Sequence, residues 1–183
     1  MKKLSLIMLF CAAIGVSFAQ KNQELVAPDM PIDEDTKLIT YQEVIQEKGT
    51  AQELYDRALV WTKSFYKNTA EVIRSADTVK KELDIYSSVR VYSHQKDGSK
   101  LTKNIVYYNF KLECKEGRYR YTITNFNYRA TAAAPIEIWL DKTSKKWDPE
   151  CFVNLQEVDE QIQVLLSSLV DGMQPPVVKK DEW

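Results

Sequence analysis

Residues 106–128 read VYYNFKLECKEGRYRYTITNFNY. Val106, Tyr108, Phe110, Leu112 and Cys114 share one parity, while Tyr107 and Lys111 fall on the other. Alternation with period two puts each set on its own face of a strand, one toward a core and one toward water. Glu116-Gly117 supplies turn chemistry, and Arg118–Tyr128 returns with Tyr119, Tyr121 and Ile123 opposite Arg118, Arg120, Thr122 and Thr124. Phe126 and Tyr128 are out of phase with that inward set, which predicts a bulge or a change of partner near Asn125. Two long half-buried strands joined by a tight turn define an antiparallel hairpin, and the rest of the fold is built around it.

Upstream, Leu83–Tyr92 repeats the alternation, with Leu83, Ile85, Ser87, Val89 and Val91 inward and Asp84, Tyr86, Ser88, Arg90 and Tyr92 outward. It joins the central hairpin through HQKDGSKLTK, with Asp97-Gly98 at the tip. Glu71–Ala76 is a shorter strand candidate, followed by a polar connection at Asp77–Lys81. Before it, TAQELYDRALVWTKSFYKN carries Thr50 at an N-cap and Glu53 three residues on, a capping box that satisfies two orphan N–H groups. Leu54, Ala58, Trp61 and Phe65 then form one apolar stripe, widened by Tyr55 and Leu59. Leu38–Gln46 reads as a partly exposed first strand, with Glu47, Lys48 and Gly49 as the turn after it.

Downstream, PIEIWL at Pro135–Leu140 is expected as one more short strand, and DKTSKKWD as a polar loop. The last helix has two rival starts, Asp148-Pro149 and Asn154, and an apolar face of Phe152, Leu155, Val158, Ile162, Leu165, Leu166 and Leu169. Gly172 is the expected C′ residue. One-sided helices and two-faced strands predict an α+β, two-layer sandwich: an antiparallel sheet of about five strands with two helices on one face.

The chain has 183 residues, 44% hydrophobic and 11% aromatic, which suits one globular domain and not a disordered or fibrous chain. Its 25 basic and 26 acidic residues argue against a general polyanion binder and leave room for a local basic patch. MKKLSLIMLFCAAIGVSFA at residues 1–19 has a basic head, an apolar core too short to span a bilayer and a Ser17-Phe18-Ala19 ending, the pattern of a signal peptide cleaved before Gln20. Cys11 lies inside that core behind the bulky Phe10, which is unlike a lipobox. The expected organisation is a signal peptide at 1–19, a flexible acidic leader at 20–37, one domain at 38–172 and a tail at 173–183, with no transmembrane anchor after cleavage.

The leader, the ELYDRALVWTKSFYKN helix at Glu53–Asn68 and above all the Val106–Tyr128 hairpin resemble DUF4468, a domain of unknown function typical of exported proteins of the Bacteroidetes. The similarity runs from about Leu38 to Gly172 and is most specific at CKEGRYRYT, Cys114–Thr122. It implies a TBP-like fold with the order strand, helix, four strands, helix. Val79–Ile85 departs from the family by lacking a glycine-rich turn, and Thr131–Trp147 by its length. The resemblance brings no activity, cofactor or catalytic residue, and the fold label does not imply nucleic-acid binding.

The residues themselves offer little chemistry. His94 is the only histidine, in a polar loop with no sequence neighbour to fix its tautomer. Asp33–Asp35 lacks the spaced ligands, glycine and terminal Glu of a calcium loop. Cys114, Cys151 and His94 fall short of the four ligands of a structural zinc site. No phosphate loop, nucleophile elbow or paired-cysteine redox motif occurs. No catalytic, cofactor-binding or metal-binding residue is therefore assigned. What remains is the outward sheet face, where Tyr86, Arg90, Tyr92, Tyr107, Lys111, Arg118 and Arg120 combine aromatic rings with cations suited to stacking on sugar or peptide.

The expectation is an exported, non-catalytic binding or structural module in the periplasm or on the outer surface, meeting an envelope protein or a glycan and no nucleic acid. The alternative is an envelope hydrolase or lipid-handling enzyme with a site outside the known motifs. Cys114 and Cys151, each at an element end, are expected to form a disulfide.

Overall fold

The computed structural model describes residues 26–95, 97–129 and 132–176, without the side chain of His94. The signal peptide, its cleavage point and residues 177–183 of the expected tail lie outside the described residues. In chain order the elements are β1 (Tyr41–Gln46), α1 (Ala51–Phe65), the single turn α2 (Thr69–Val72), β2 (Ile73–Asp77), β3 (Glu82–His94), β4 (Lys100–Lys115), β5 (Arg118–Arg129), β6 (Ala133–Pro135), a 3-10 helix (Ile136–Leu140) and α3 (Glu150–Gly172). The strands form one antiparallel sheet in the order β1-β5-β4-β3-β2, and β6 pairs with β5. The α1 and α3 helices cover one face, so the expected α+β sandwich is the observed fold.

The central hairpin follows its alternation. Val106, Tyr108, Phe110, Leu112 and Cys114 are buried, as are Tyr119, Tyr121 and Ile123. At Asn125 the backbone turns to a φ of 56° and the β4–β5 register slips by one residue, between the pairs Asn109↔Thr124 and Tyr107↔Asn127. That bulge returns Phe126 to the core, where it meets Tyr41 and Tyr108. Asparagine tolerates the left-handed region better than most side chains.

The α1 helix starts as its sequence dictates: the Thr50 hydroxyl accepts the Glu53 N–H at 3.2 Å and the Glu53 carboxylate accepts the Thr50 N–H at 2.8 Å. Its buried stripe is Leu54, Tyr55, Ala58, Trp61 and Thr62, while Phe65 ends at the rim, 36% exposed. The α1 and α3 helices run in opposite senses: Arg57 donates to the Met173 carbonyl, and Trp61 Nε1 donates to Ser168 at 3.1 Å. Of the two possible starts of α3, Asp148 provides the cap, accepting the Cys151 N–H at 3.2 Å; Asn154 lies buried inside the helix.

Four expectations are corrected. Ile136–Leu140 is a 3-10 helix instead of a strand, with Ile136 and Trp139, three apart, both buried. The Glu137 carboxylate accepts the Ile39 N–H at 2.8 Å, which ties this turn to the approach of β1. Gly172 is the last residue of α3 and not a left-handed C′ residue; its place is a contact with Trp61. The second strand begins at Ile73, because Thr69–Val72 closes a helical turn first. The first strand begins at Tyr41, since Ile39 pairs in an isolated bridge with Ile32. The end of the acidic leader packs on the domain: Met30 is buried, and the Asp33 carboxylate accepts the Thr36 N–H in a tight turn. Met173, the first residue of the expected tail, is fully buried.

The expected disulfide is also absent: Cys114 and Cys151 are both buried free thiols. Topology is the reason. Glu150, next to Cys151, pairs with Lys103 near the start of β4, whereas Cys114 lies near that strand's end. At about 3.3 Å per residue those positions stand roughly 30 Å or more apart, against the ~7 Å between Cα atoms that a bridge allows.

Candidate recognition surface

The helices leave the second face of the sheet open, and strand parity populates it. Tyr86, Arg90 and Tyr92 come from β3, Tyr107 and Lys111 from β4, and Arg118 and Arg120 from β5. Arg90, Arg118 and Arg120 are exposed, and Tyr86, Tyr92, Tyr107 and Lys111 half-buried. All seven expected residues therefore lie on the open side, but the sheet register joins them into separate groups.

The largest group is a ladder that the sequence did not disclose. Tyr86 and Tyr107 stack with centroids 5.6 Å apart and planes 9° from parallel. The Arg74 guanidinium sits over Tyr86 at 5.0 Å and that of Arg129 over Tyr107 at 5.7 Å. Four strands thus contribute one residue each to a row cation, ring, ring, cation. Neither arginine has an ion-pair partner among the described residues. Each exposed cation–π contact is worth about 0.5–1 kcal/mol and the ring pair about 0.5–1.5. The ring faces are consumed inside the ladder, so guanidinium N–H groups, ring edges and hydroxyls are what it offers to a partner.

Arg74 escapes the sequence reading because the Glu71–Ala76 candidate shows no alternation that assigns it a face and the β2–β3 register shifts between Ile73 and Ser75, and Arg129 because the strand read there ends at Tyr128, short of the phase change's full reach. That change was the available signal: beyond the bulge, Asn127 and Arg129 inherit the open face.

The remaining expected residues have other partners. Arg120 forms a forked pair with Glu113, at 2.7 and 2.8 Å, and Lys111 pairs with Glu82 at 2.9 Å. Such exposed pairs contribute about 0–1 kcal/mol and occupy the cations. Glu82 lifts the Lys111 ammonium above its ordinary range through their hydrogen bond. Lys100 lies over Tyr92 at 5.9 Å, away from the ladder. Arg90 and Arg118 carry no ion pair among the described residues. A depression of about 500 Å³ runs between Arg74, Tyr86, Lys111 and Arg120, floored by Asn109 and Thr122. Arg74, Arg90, Lys111, Arg118, Arg120 and Arg129 share this face with the acidic Asp77, Glu82, Asp84 and Glu113, so among these residues a chain with a formal charge of −1 turns a basic side outward.

On the helix side, tyrosine hydroxyls hold carboxylates in place. Tyr41 donates to Asp159 at 2.8 Å and Tyr121 to Glu43 at 3.0 Å, and burial raises both phenols, Tyr121 to about 12. Burial also pushes the Cys114 thiol up to about 12, which keeps it protonated and unreactive. Among the described residues no three His, Cys, Asp or Glu side chains gather as metal ligands, and no helix is long and apolar enough to cross a membrane.

A six-stranded antiparallel sheet, covered by helices on one side and bare on the other among the described residues, defines a TBP-like α+β protein. Residues 41–129, a little under half of the chain, match the family described as "Domain of unknown function (DUF4468) with TBP-like fold". Two crystal structures share the architecture at 14% sequence identity. One is a DUF4468 family protein from Bacteroides ovatus ATCC 8483, with a TM-score of 0.63 over 81% of this chain and 93% of that one. The other is a TBP-like protein from Parabacteroides distasonis ATCC 8503, with a TM-score of 0.57 over 74% and 92%. No curated protein matches the chain.

Proposed function

We propose that the chain is an exported, non-catalytic binding module of the bacterial cell envelope, and that the open sheet face is its recognition surface. The observation that carries this reading is the Arg74–Tyr86–Tyr107–Arg129 ladder. Solubility alone asks only for isolated polar side chains on an exposed sheet. Four strands spent on one ordered row, with neither cation paired to a carboxylate among the described residues, suit a surface selected to hold a partner. Fixed rings and guanidiniums also lose little rotamer freedom when a partner arrives. Export is supported by the KK head, short apolar core and Ser17-Phe18-Ala19 ending of residues 1–19. The partner class is an envelope protein or a glycan with anionic groups.

The test is capture from the native envelope by the mature protein carrying a photo-crosslinker at Asn109, beside the ladder. Replacing Arg74 and Arg129 together by Gln is expected to reduce the captured partner severalfold with the melting temperature nearly unchanged. Equal capture by the double variant reduces the open face to scaffold. Sequencing the N-terminus of the protein from its host should read from Gln20, and an intact Met1 would reject export with cleavage.

A further inference from the structure

The outer edge of β3 is only partly protected. Across its first residues β2 pairs with it, from Asp77↔Glu82 to Ile73↔Ile85, and beyond Ile85 no strand among the described residues lies against it. Farther along, α3 takes the place of a strand. The Gln161 carboxamide accepts the Arg90 N–H at 3.4 Å and donates to the Arg90 carbonyl at 2.8 Å, and Glu157 accepts the Tyr92 N–H at 2.7 Å. Main-chain groups of alternate strand residues point the same way, so the N–H and C=O of Ser88 aim outward like those of Arg90. Ser88 is exposed and sits in the gap between the end of β2 and the Gln161 clamp.

At the same place the helix layer opens. A groove of about 500 Å³ runs between the end of α1 and α3, with Val89 and Tyr108 in its floor and Phe65, Val164 and Leu165 in its walls. Val164 is 67% exposed at its rim.

We propose that this gap is a strand-addition site for an extended peptide with one large apolar side chain. The occupant follows from the groups left open. A donor and an acceptor on one residue of a strand edge, facing the same way, are matched together by another peptide backbone. The groove beside them accepts an apolar side chain from that backbone, as period-two alternation requires. A second copy of this chain fits poorly, because its own edge is recessed between its β2 and its α3 clamp. The site lies at the sheet edge on the helix side and is independent of the ladder on the open face.

The test uses isotope-labelled mature protein titrated with the capped peptides acetyl-Thr-Thr-Leu-Thr-Thr-amide and its Phe-centred counterpart, followed by amide NMR. Binding is expected to shift Ser88, Val89 and Val164 and to slow exchange of the Ser88 amide by about tenfold. A peptide N-methylated at its central residue should do neither. Ser88→Pro removes the outward donor while leaving the β4 ladder intact, as prolines on edge strands do, and should abolish binding. Val164→Glu should abolish it through the groove wall, and serves if the proline variant fails to fold. Three outcomes overturn the proposal: no shifts at millimolar peptide, shifts that N-methylation leaves unchanged, or Ser88 protection that grows with protein concentration in the absence of peptide.

Discussion

Gly172 packs its bare backbone on the indole of Trp61: a Cβ at that position would lie 2.5 Å from Cδ1 and 2.9 Å from Cγ. The indole has little room to yield, since its Nε1 is held by Ser168 and its ring packs edge-on against Phe110. Gly172→Ala gains about 1 kcal/mol of helix propensity but meets an overpacking cost of about 1–3. The expected outcome is net destabilisation of up to ~2 kcal/mol in urea unfolding. A stabilised variant would show that the crossing of α1 and α3 is looser than this contact.

The helix start offers a cleaner measurement. Thr50→Ala removes the acceptor of the Glu53 N–H and should cost about 1 kcal/mol. Glu53→Gln keeps a side-chain partner for the Thr50 N–H and should cost less. Equal losses in chemical denaturation would mean that charge, and not the reciprocal box, holds the turn.

Thiol chemistry should separate the folded and unfolded protein. Cys114 and Cys151 are buried and unbridged. A thiol reagent applied to unreduced mature protein should find almost none in the native state and two per chain in denaturant. Finding none in denaturant would restore the bridge.

Acid stability has a definite sign. Asp33, Asp77, Asp97, Asp141 and Glu53 are all held below their ordinary values, by hydrogen bonds chiefly from Thr36, Lys80, Ser99, Thr143 and Thr50 respectively. A depressed folded pKa means that the contribution is present above the ordinary pKa and lost as pH falls through the folded one. Melting temperature should therefore hold between neutrality and pH ~5 and fall below pH ~4. Asp97→Asn and Asp141→Asn together should shallow that fall; an unchanged profile would locate acid sensitivity elsewhere.

At the alkaline end the sign reverses. Burial, assisted by Glu43, lifts Tyr121 to about 12, and burial raises Tyr41, Tyr66 and Tyr119 further. Raised phenols stabilise the fold below their ordinary pKa, and that contribution disappears as pH climbs through the folded values. Tyrosinate absorbance from these residues should therefore appear together with loss of circular dichroism. Their ionisation in a still-folded protein would contradict the burial.

Much of the architecture was legible in the sequence because it depends on local period and local caps. The alternation of Val106–Cys114, the Thr50–Glu53 box and even the phase change at Asn125 are each readable within a few residues. Ile136–Leu140 was not, since five residues with Ile136, Ile138 and Leu140 in alternation resemble a strand until Trp139 is known to be buried with Ile136. The open face was legible as a set of residues but not as contacts. The partnership of Tyr86 with Tyr107 depends on the β3–β4 register, in which Tyr86 stands opposite Asn109, and Arg74 and Arg129 enter only through irregularities in β2 and β5. The disulfide failed for a related reason, because inward parity says which layer Cys114 faces and nothing about which end of β4 the last helix reaches.

The bulge at Asn125 makes β5 a strand with two independent halves. Residues up to Thr124 and residues from Phe126 onward obey opposite parities in the sequence, and the extra residue between them lets both halves keep their apolar side chains under the helices. Were Asn125 to pair as an ordinary strand residue, Phe126 would be driven into solvent and Arg129 beneath the helices, while the proximal half stayed in place. One asparagine in the left-handed region thus decides whether the edge of the domain is greasy or cationic, and shortening the strand by that one residue would leave its faces as they are.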